Sequence, residues 1–124
     1  MTAPNTPGPA NPGTDAETLR ARIEECVRLL KATRHLDPEA QKALAELLRE
    51  MAQDLHPDDD PEHAGHLVAS SAALIQALHD QQDAGFIASA RTRLEEATVR
   101  AQAEAPVVTG FVRRLIDALA GIGV

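Results

Sequence analysis

Apolar residues recur along most of the chain at intervals of three or four positions, which is the spacing of one face of an α-helix. Polar and charged residues fill the positions between them, so each apolar stripe predicts an amphipathic helix with one buried side. No segment alternates apolar and polar residues as a half-buried strand does. The five stripes are Leu19, Ile23, Cys26, Val27 and Leu30; Leu44, Leu47, Leu48, Met51 and Leu55; Leu67, Leu74, Ile75 and Leu78; Phe86, Ile87, Leu94, Ala97 and Ala101; and Val108, Val112, Leu115, Leu119 and Ile122, the last widened by Phe111 and Ile116.

Capping residues mark where the helices begin. Thr14 or Asp15 precedes the first stripe, and either side chain can accept hydrogen bonds from the free amides of a first turn. Residues 37–39 and 60–62 both read Asp-Pro-Glu, which is the cap, first-turn proline and first-turn acid of a helix start. Pro106 ends the fourth helix and begins the fifth.

Five helices joined by short connections favour a bundle in which consecutive neighbours run antiparallel. The sequence therefore predicts an all-α fold, an antiparallel helical bundle of about five helices with coiled-coil character, in one domain over residues 14–124. Gly85 is the expected break between the third and fourth helices, although a single kinked helix also fits the pattern. Residues 1–13 contain four prolines and no apolar periodicity, which predicts a disordered, solvated tail.

The composition restricts the residue types that can form the core and the classes of partner that the chain can bind. With two phenylalanines and no Trp or Tyr, the core must consist of Leu, Ile, Val and Ala. The acidic net charge of -7 argues against an electrostatic grip on phosphate backbones, so we expect no nucleic-acid partner. The most apolar segment, residues 107–124, carries Arg113, Arg114 and Asp117 near its middle, so we expect no transmembrane segment.

A catalytic arrangement is not recognisable. Cys26 is the single cysteine, and its apolar neighbours predict a small core residue. His35 is its only nearby base, but nine helical residues separate the two by ~13 Å, which excludes direct pairing. The serines lack a G-x-S-x-G turn, and no carboxylate pair lies in an apolar setting. We therefore assign no catalytic residue and no cofactor, and the absence of a disulfide pair or a signal peptide predicts a cytoplasmic protein.

Histidines and carboxylates cluster before and within the third helix. His63 and His66 share a helix face, and imidazoles close to carboxylates are ligands for divalent transition metals. The H-E-x-x-H pattern of metalloproteases is missing, and the spacing does not fit a calcium-binding loop. We expect a solvated acidic loop leading into a helix, without a metal, and keep a metal site at His56, His63 and His66 as the alternative.

Two segments resemble a known family. The hairpin LRARIEECVRLLKATRHLDPEAQKALAELLREMAQDL and the ending EAPVVTGFVRRLIDALAGIGV are similar to short bacterial helical proteins grouped as domain of unknown function 4404. The resemblance covers residues 19–55 and about 90–124, so the third helix and the acidic loop are interpreted as additions to the family pattern. It implies a small helical protein, and it implies no activity or site.

The function predicted from these patterns is that of a non-enzymatic module for protein–protein interaction or self-association. Every strong feature serves helix packing, and the last helix has an apolar arc wider than one neighbour can cover. An alternative is that this helix rests on a membrane surface. The expected interaction residues are Val108, Phe111, Val112, Leu115, Leu119 and Ile122.

Overall fold

The computed structural model of the chain describes residues 15–55 and 58–123. They form five helices, which are α1 (Ala16–Ala32), α2 (Pro38–Gln53), α3 (Pro61–His79), α4 (Ala84–Ala101) and α5 (Pro106–Gly121). No strand occurs within these two ranges, and the predicted all-α class is confirmed. The prediction for residues 1–13 lies outside the described part of the chain.

The predicted starts of the first three helices are confirmed by their caps. The Asp15 carboxylate accepts a hydrogen bond from the Thr18 amide at 2.7 Å. Asp37 accepts from the amides of Glu39 and Ala40, and Asp60 accepts from the amide of His63 at 3.0 Å. These side chains satisfy amides that have no partner within the first helical turn.

The boundary between α3 and α4 lies earlier than the sequence suggested. Gly85 was predicted to separate the third helix from the fourth, but it lies in the first turn of α4. The break is the stretch after His79, in which Gln81 has a positive φ of 54°. Asp83 then caps α4, because its carboxylate accepts from the Phe86 amide at 2.8 Å. The cap outweighs the helix-breaking tendency of the glycine, and α3 and α4 are two separate helices.

The five helices contact one another in the cyclic order α1, α2, α5, α4 and α3. A smaller contact between α3 and α5 crosses this ring, and the described residues of α4 make no contact with α1 or α2. At one end of the bundle, Oγ1 of Thr33 lies 3.2 Å from Nδ1 of His79. This hydrogen bond joins the C-terminal ends of α1 and α3.

The core is aliphatic, as the composition predicted. Buried residues from all five helices form one cluster, and none of those described is aromatic. Burying a Leu, Ile or Val side chain contributes about 1.5–3 kcal/mol, so packing supplies most of the stability of these helices. The largest fully buried side chains are Ile23, Leu30, Leu44, Leu48, Leu67, Leu74, Ile75, Leu94, Leu115, Leu119, Val68 and Val108.

Candidate functional site

The acidic loop before α3 holds the start of α5 in place. The Asp59 carboxylate accepts hydrogen bonds from the amides of Val108 at 2.9 Å and Val107 at 3.3 Å. The residue at the cap position of α5, Ala105, has no side chain that could do this, and Asp59 is 6% exposed. Asp59 therefore caps a helix that begins almost fifty residues later in the chain. Sequence analysis missed this role, for which the only indication was an alanine before Pro106 where a capping residue is usual.

Asp60 fixes the same junction from the side of α3. Its amide donates to the carbonyl oxygen of Glu104 at 2.7 Å, which ties the loop to the connection between α4 and α5. Its carboxylate accepts a hydrogen bond from the His63 amide at 3.0 Å, and it also lies 2.6 Å from Nδ1 of the His63 ring. The hydrogen bond from the His63 side chain, followed by that from its backbone, lowers the pKa of Asp60. Asp59 and Asp60 are thus structural residues of the junction between α3, α4 and α5.

The proposed metal ligands do not come together as a set. His63 and His66 line a groove between α3 and α4, together with Glu62 and Arg100. Nδ1 of His63 lies 2.6 Å from the Asp60 carboxylate. The positive charge of Arg100, which lines the same groove, would repel a metal cation. Within residues 15–55 and 58–123, no three His, Cys, Asp or Glu side chains are placed to hold a metal ion. His56 lies outside the described residues.

We expect that a strong chelator leaves the melting temperature of the protein unchanged, because the described junction is closed by hydrogen bonds. Thermal unfolding followed by circular dichroism with and without chelator checks this. A metal that bound the folded chain would stabilise it by mass action. A fall of more than about 5 °C on chelation would show a structural metal and restore the His56, His63 and His66 hypothesis.

Cys26 is a core residue, as predicted. Its side chain is 2% exposed, and burial, with a smaller contribution from Glu25, raises the pKa of the thiol to about 11. His35 is exposed and its Nδ1 lies 3.0 Å from Nε2 of Gln81, in the neighbouring loop. Cys26 and His35 therefore lie in different surroundings and do not form a nucleophile–base pair.

We expect the Cys26 thiol to react with alkylating reagents in the unfolded chain and to be protected in the native one. The thiolate is the reactive form, and both burial and a pKa near 11 keep it scarce at pH 8. Mass spectrometry after timed exposure to iodoacetamide, with and without urea, measures the difference. Equal rates in both conditions would place Cys26 at the surface.

The structure places most of the predicted interaction residues inside the monomer. Val108, Val112, Leu115 and Leu119 are each at most 1% exposed. They belong to the same core cluster as residues of the other four helices. The apolar arc on which both the α5 interface and the membrane-surface alternative depended is therefore largely internal.

Phe111 and Ile122 are the two members of the set that reach the surface. The Phe111 ring is partly buried, and the Arg114 guanidinium carbon lies 5.3 Å from its centroid. Arg114 also lies 3.7 Å from Glu50 of α2. Ile122 follows the last turn of α5 and is 39% exposed.

Among the large apolar side chains of the described residues, the two with the highest exposed fractions lie on α4. Val99 is 70% exposed and Phe86 is 52% exposed. Phe86 was assigned to the buried stripe of the fourth helix, but only Leu94, Ala97, Thr98 and Ala101 of this helix are buried. Ile87, Ala90 and Arg91 are partly buried, and the other residues of α4 are exposed to solvent.

A sequence model of one family, described as Domain of unknown function (DUF4404), matches residues 41–124. The chain belongs to the DUF4404 family. No curated protein and no solved structure matches it. The resemblance inferred from the two quoted segments is thereby confirmed at the level of the family.

The extent of the DUF4404 match differs from the extent inferred from the sequence. The matched range includes the acidic loop and α3, which the sequence analysis interpreted as additions to the family pattern. It begins within α2, and α1 lies outside it. The Asp59 cap, the outer side of α4 and the exposed residues of α5 all lie within the DUF4404 region. No helix of the described structure is long and apolar enough to cross a membrane.

Proposed function

We propose that this DUF4404 chain is a non-enzymatic protein-binding module whose principal binding surface is the outer side of α4. The observation that carries the proposal is that Val99 is 70% exposed on the side of α4 that faces away from its buried residues Leu94, Ala97 and Ala101. Phe86 is also exposed, but it lies 13 residues earlier and on another side of the helix. Withdrawing an exposed apolar side chain from water favours binding, so Val99 is suited to contact a partner. Phe111 is a second apolar residue that is partly exposed, and Arg114 beside its ring also lies 3.7 Å from Glu50 of α2.

The polar groups of the chain support the same proposal. Asp59 and Asp60 cap helices, Thr33 and His79 join α1 to α3, and Cys26 is buried. Their hydrogen bonds hold helices together, and none of them lines the outer side of α4. Protein binding uses the shape and apolar surface that the fold offers without requiring a reactive group.

The test is affinity capture from cells of the source organism with the full chain as bait. The variant Val99→Glu places a charge at the most exposed apolar residue of the proposed surface, and a charge buried in an interface without a partner weakens binding strongly. We expect the bound protein to be recovered with the unaltered chain and to be lost with Val99→Glu.

The matched control is Ala21→Glu, which adds the same charge at an exposed position of α1. It should leave capture unchanged, and circular dichroism should show the same helix content for all three chains. Capture that is equally strong for Val99→Glu, or equally weak for Ala21→Glu, would refute a binding surface on α4. The variant Phe111→Ser tests in the same way whether the partly exposed Phe111 contributes to binding.

A further inference from the structure

We propose that the groove between α3 and α4 binds carboxylate groups of an acidic segment in the protein partner, and that it binds them more tightly when its histidines are protonated. This inference rests on the proposed function, because it states the chemistry of the partner. Arg100 of the groove directly follows Val99 and lies about 100° around the helix from it. One partner segment can therefore contact both residues.

The groove has an apolar floor between two polar walls. Ala97 and Ala101 of α4 line it and are at most 2% exposed, so they form its floor. His63 and His66 line it from α3, and Arg100 lines it from α4. Because the alanine side chains are small, the space between the walls is open to a side chain of another protein.

Two of the wall residues have hydrogen-bond donors that the fold does not use. Within the described ranges, no other residue pairs with the Arg100 guanidinium or the His66 ring. A guanidinium presents its donors in a planar fork that matches a carboxylate, and an imidazole can add a further donor. Hydrogen bonds between charged groups are stronger than neutral ones, so a carboxylate is the ligand that these side chains suit.

The charge of the groove depends on pH. While the histidines are neutral, the positive charge of Arg100 is offset by the negative charge of Glu62, which also lines the groove. Histidine takes up a proton in the range between pH 8 and pH 5. Acidification therefore adds positive charge at His63 and His66, and the groove becomes favourable for an anion.

Two further carboxylates lie near these groups. Asp60 lies 2.6 Å from Nδ1 of His63, so it offsets the charge that this histidine gains. Glu96 precedes Arg100 by about one turn of α4, but the two form no ion pair in the described structure. Since His66 has no such carboxylate partner, we expect its proton to be the main source of the pH dependence.

The test is fluorescence anisotropy of a rhodamine-labelled peptide of six glutamates, titrated with the full chain at pH 6.0 and at pH 7.5. The glutamates stay largely ionised at both values, because the ordinary pKa of their side chains is about 4.3. We expect the dissociation constant to be about tenfold lower at pH 6.0. A peptide of six glutamines with the same label should bind at neither pH.

Variants with matched controls assign the binding to the groove. His66→Gln and Arg100→Gln should each raise the dissociation constant at pH 6.0 about threefold, which is the effect of losing one exposed charge pair. His35→Gln and Arg22→Gln remove the same kinds of charge from exposed positions in α1 and the loop after it. Both controls should leave the dissociation constant unchanged.

Equal losses in the groove variants and the controls would assign the binding to net charge and overturn the carboxylate site. No binding of the glutamate peptide at pH 6.0 with the chain at millimolar concentration, or equal binding of the glutamine peptide, would overturn it as well. Capture of a protein that is lost with Val99→Glu would still support the protein-binding module, so the two proposals can fail separately.

Discussion

Replacing Leu115 by Ala is expected to lower the free energy of unfolding by about 2–5 kcal/mol. Leu115 is 1% exposed and belongs to the cluster shared by all five helices. The loss combines the transfer free energy of the removed atoms with the cost of the cavity that they leave. Urea unfolding followed by circular dichroism at 222 nm measures it, because the chain has no Trp or Tyr for fluorescence.

The control is Ile122→Ala, at the exposed end of the same helix. Ile122 is 39% exposed, so its truncation removes fewer contacts and should cost about 1 kcal/mol or less. The two variants thus separate a core position from a surface position of the original interaction set. Similar losses for both, or a loss below about 1 kcal/mol for Leu115→Ala, would contradict the placement of α5 in the ring.

Replacing Asp59 by Ala is expected to lower the free energy of unfolding by about 1–3 kcal/mol. The substitution deprives the amides of Val107 and Val108 of their acceptor, and Val108 is fully buried. Water cannot replace the carboxylate without entering the junction, so the cost exceeds that of an exposed cap. Chemical unfolding of the two chains gives the difference directly.

Two further variants isolate the cause of this loss. Asp59→Asn keeps one oxygen that can accept from the Val108 amide, so it should retain part of the stability. Asp117→Ala removes the same charge from an exposed position near the C-terminal end of α5, and it should change stability by about 0.5 kcal/mol or less. If Asp117→Ala were as harmful as Asp59→Ala, net charge and not the cap would explain the effect.

The number and positions of the helices followed from local patterns in the sequence. The apolar stripes of α1, α2 and α5 correspond closely to the residues that the structure buries. The Asp-Pro-Glu segments at residues 37–39 and 60–62 begin helices because their caps act within one turn. Such features depend on neighbours in the chain, so the sequence alone is sufficient to predict them.

Which helices pack against one another depends on contacts between residues far apart in the chain, and no local pattern contains these contacts. The arc of α5 was expected to leave an apolar patch, but α5 has three neighbours, α2, α3 and α4, and these cover most of it. α4 contacts α3 and α5 but neither α1 nor α2, and Leu94 is the only large side chain among its buried residues. The sequence assigned Phe86 to this buried stripe as well, because no local pattern shows which neighbours will cover a helix.

The Asp59 cap shows the same limitation at the level of one residue. Asp59 lies in the loop that was expected to be acidic and solvated, since capping residues are sought beside the helix that they cap. In the structure the loop before α3 lies against the start of α5, and the buried carboxylate serves that helix. A contact across almost fifty residues is a property of the assembled fold.

The most direct test of α4 as the binding surface is site-specific photo-cross-linking in living cells of the source organism. A photoreactive amino acid replaces Val99 in one chain and Lys31 of α1, also exposed, in a control chain. The proposed surface predicts a discrete protein adduct from position 99 and none from position 31. The same adducts from both positions, or no adduct from position 99, would contradict a binding role for the outer side of α4.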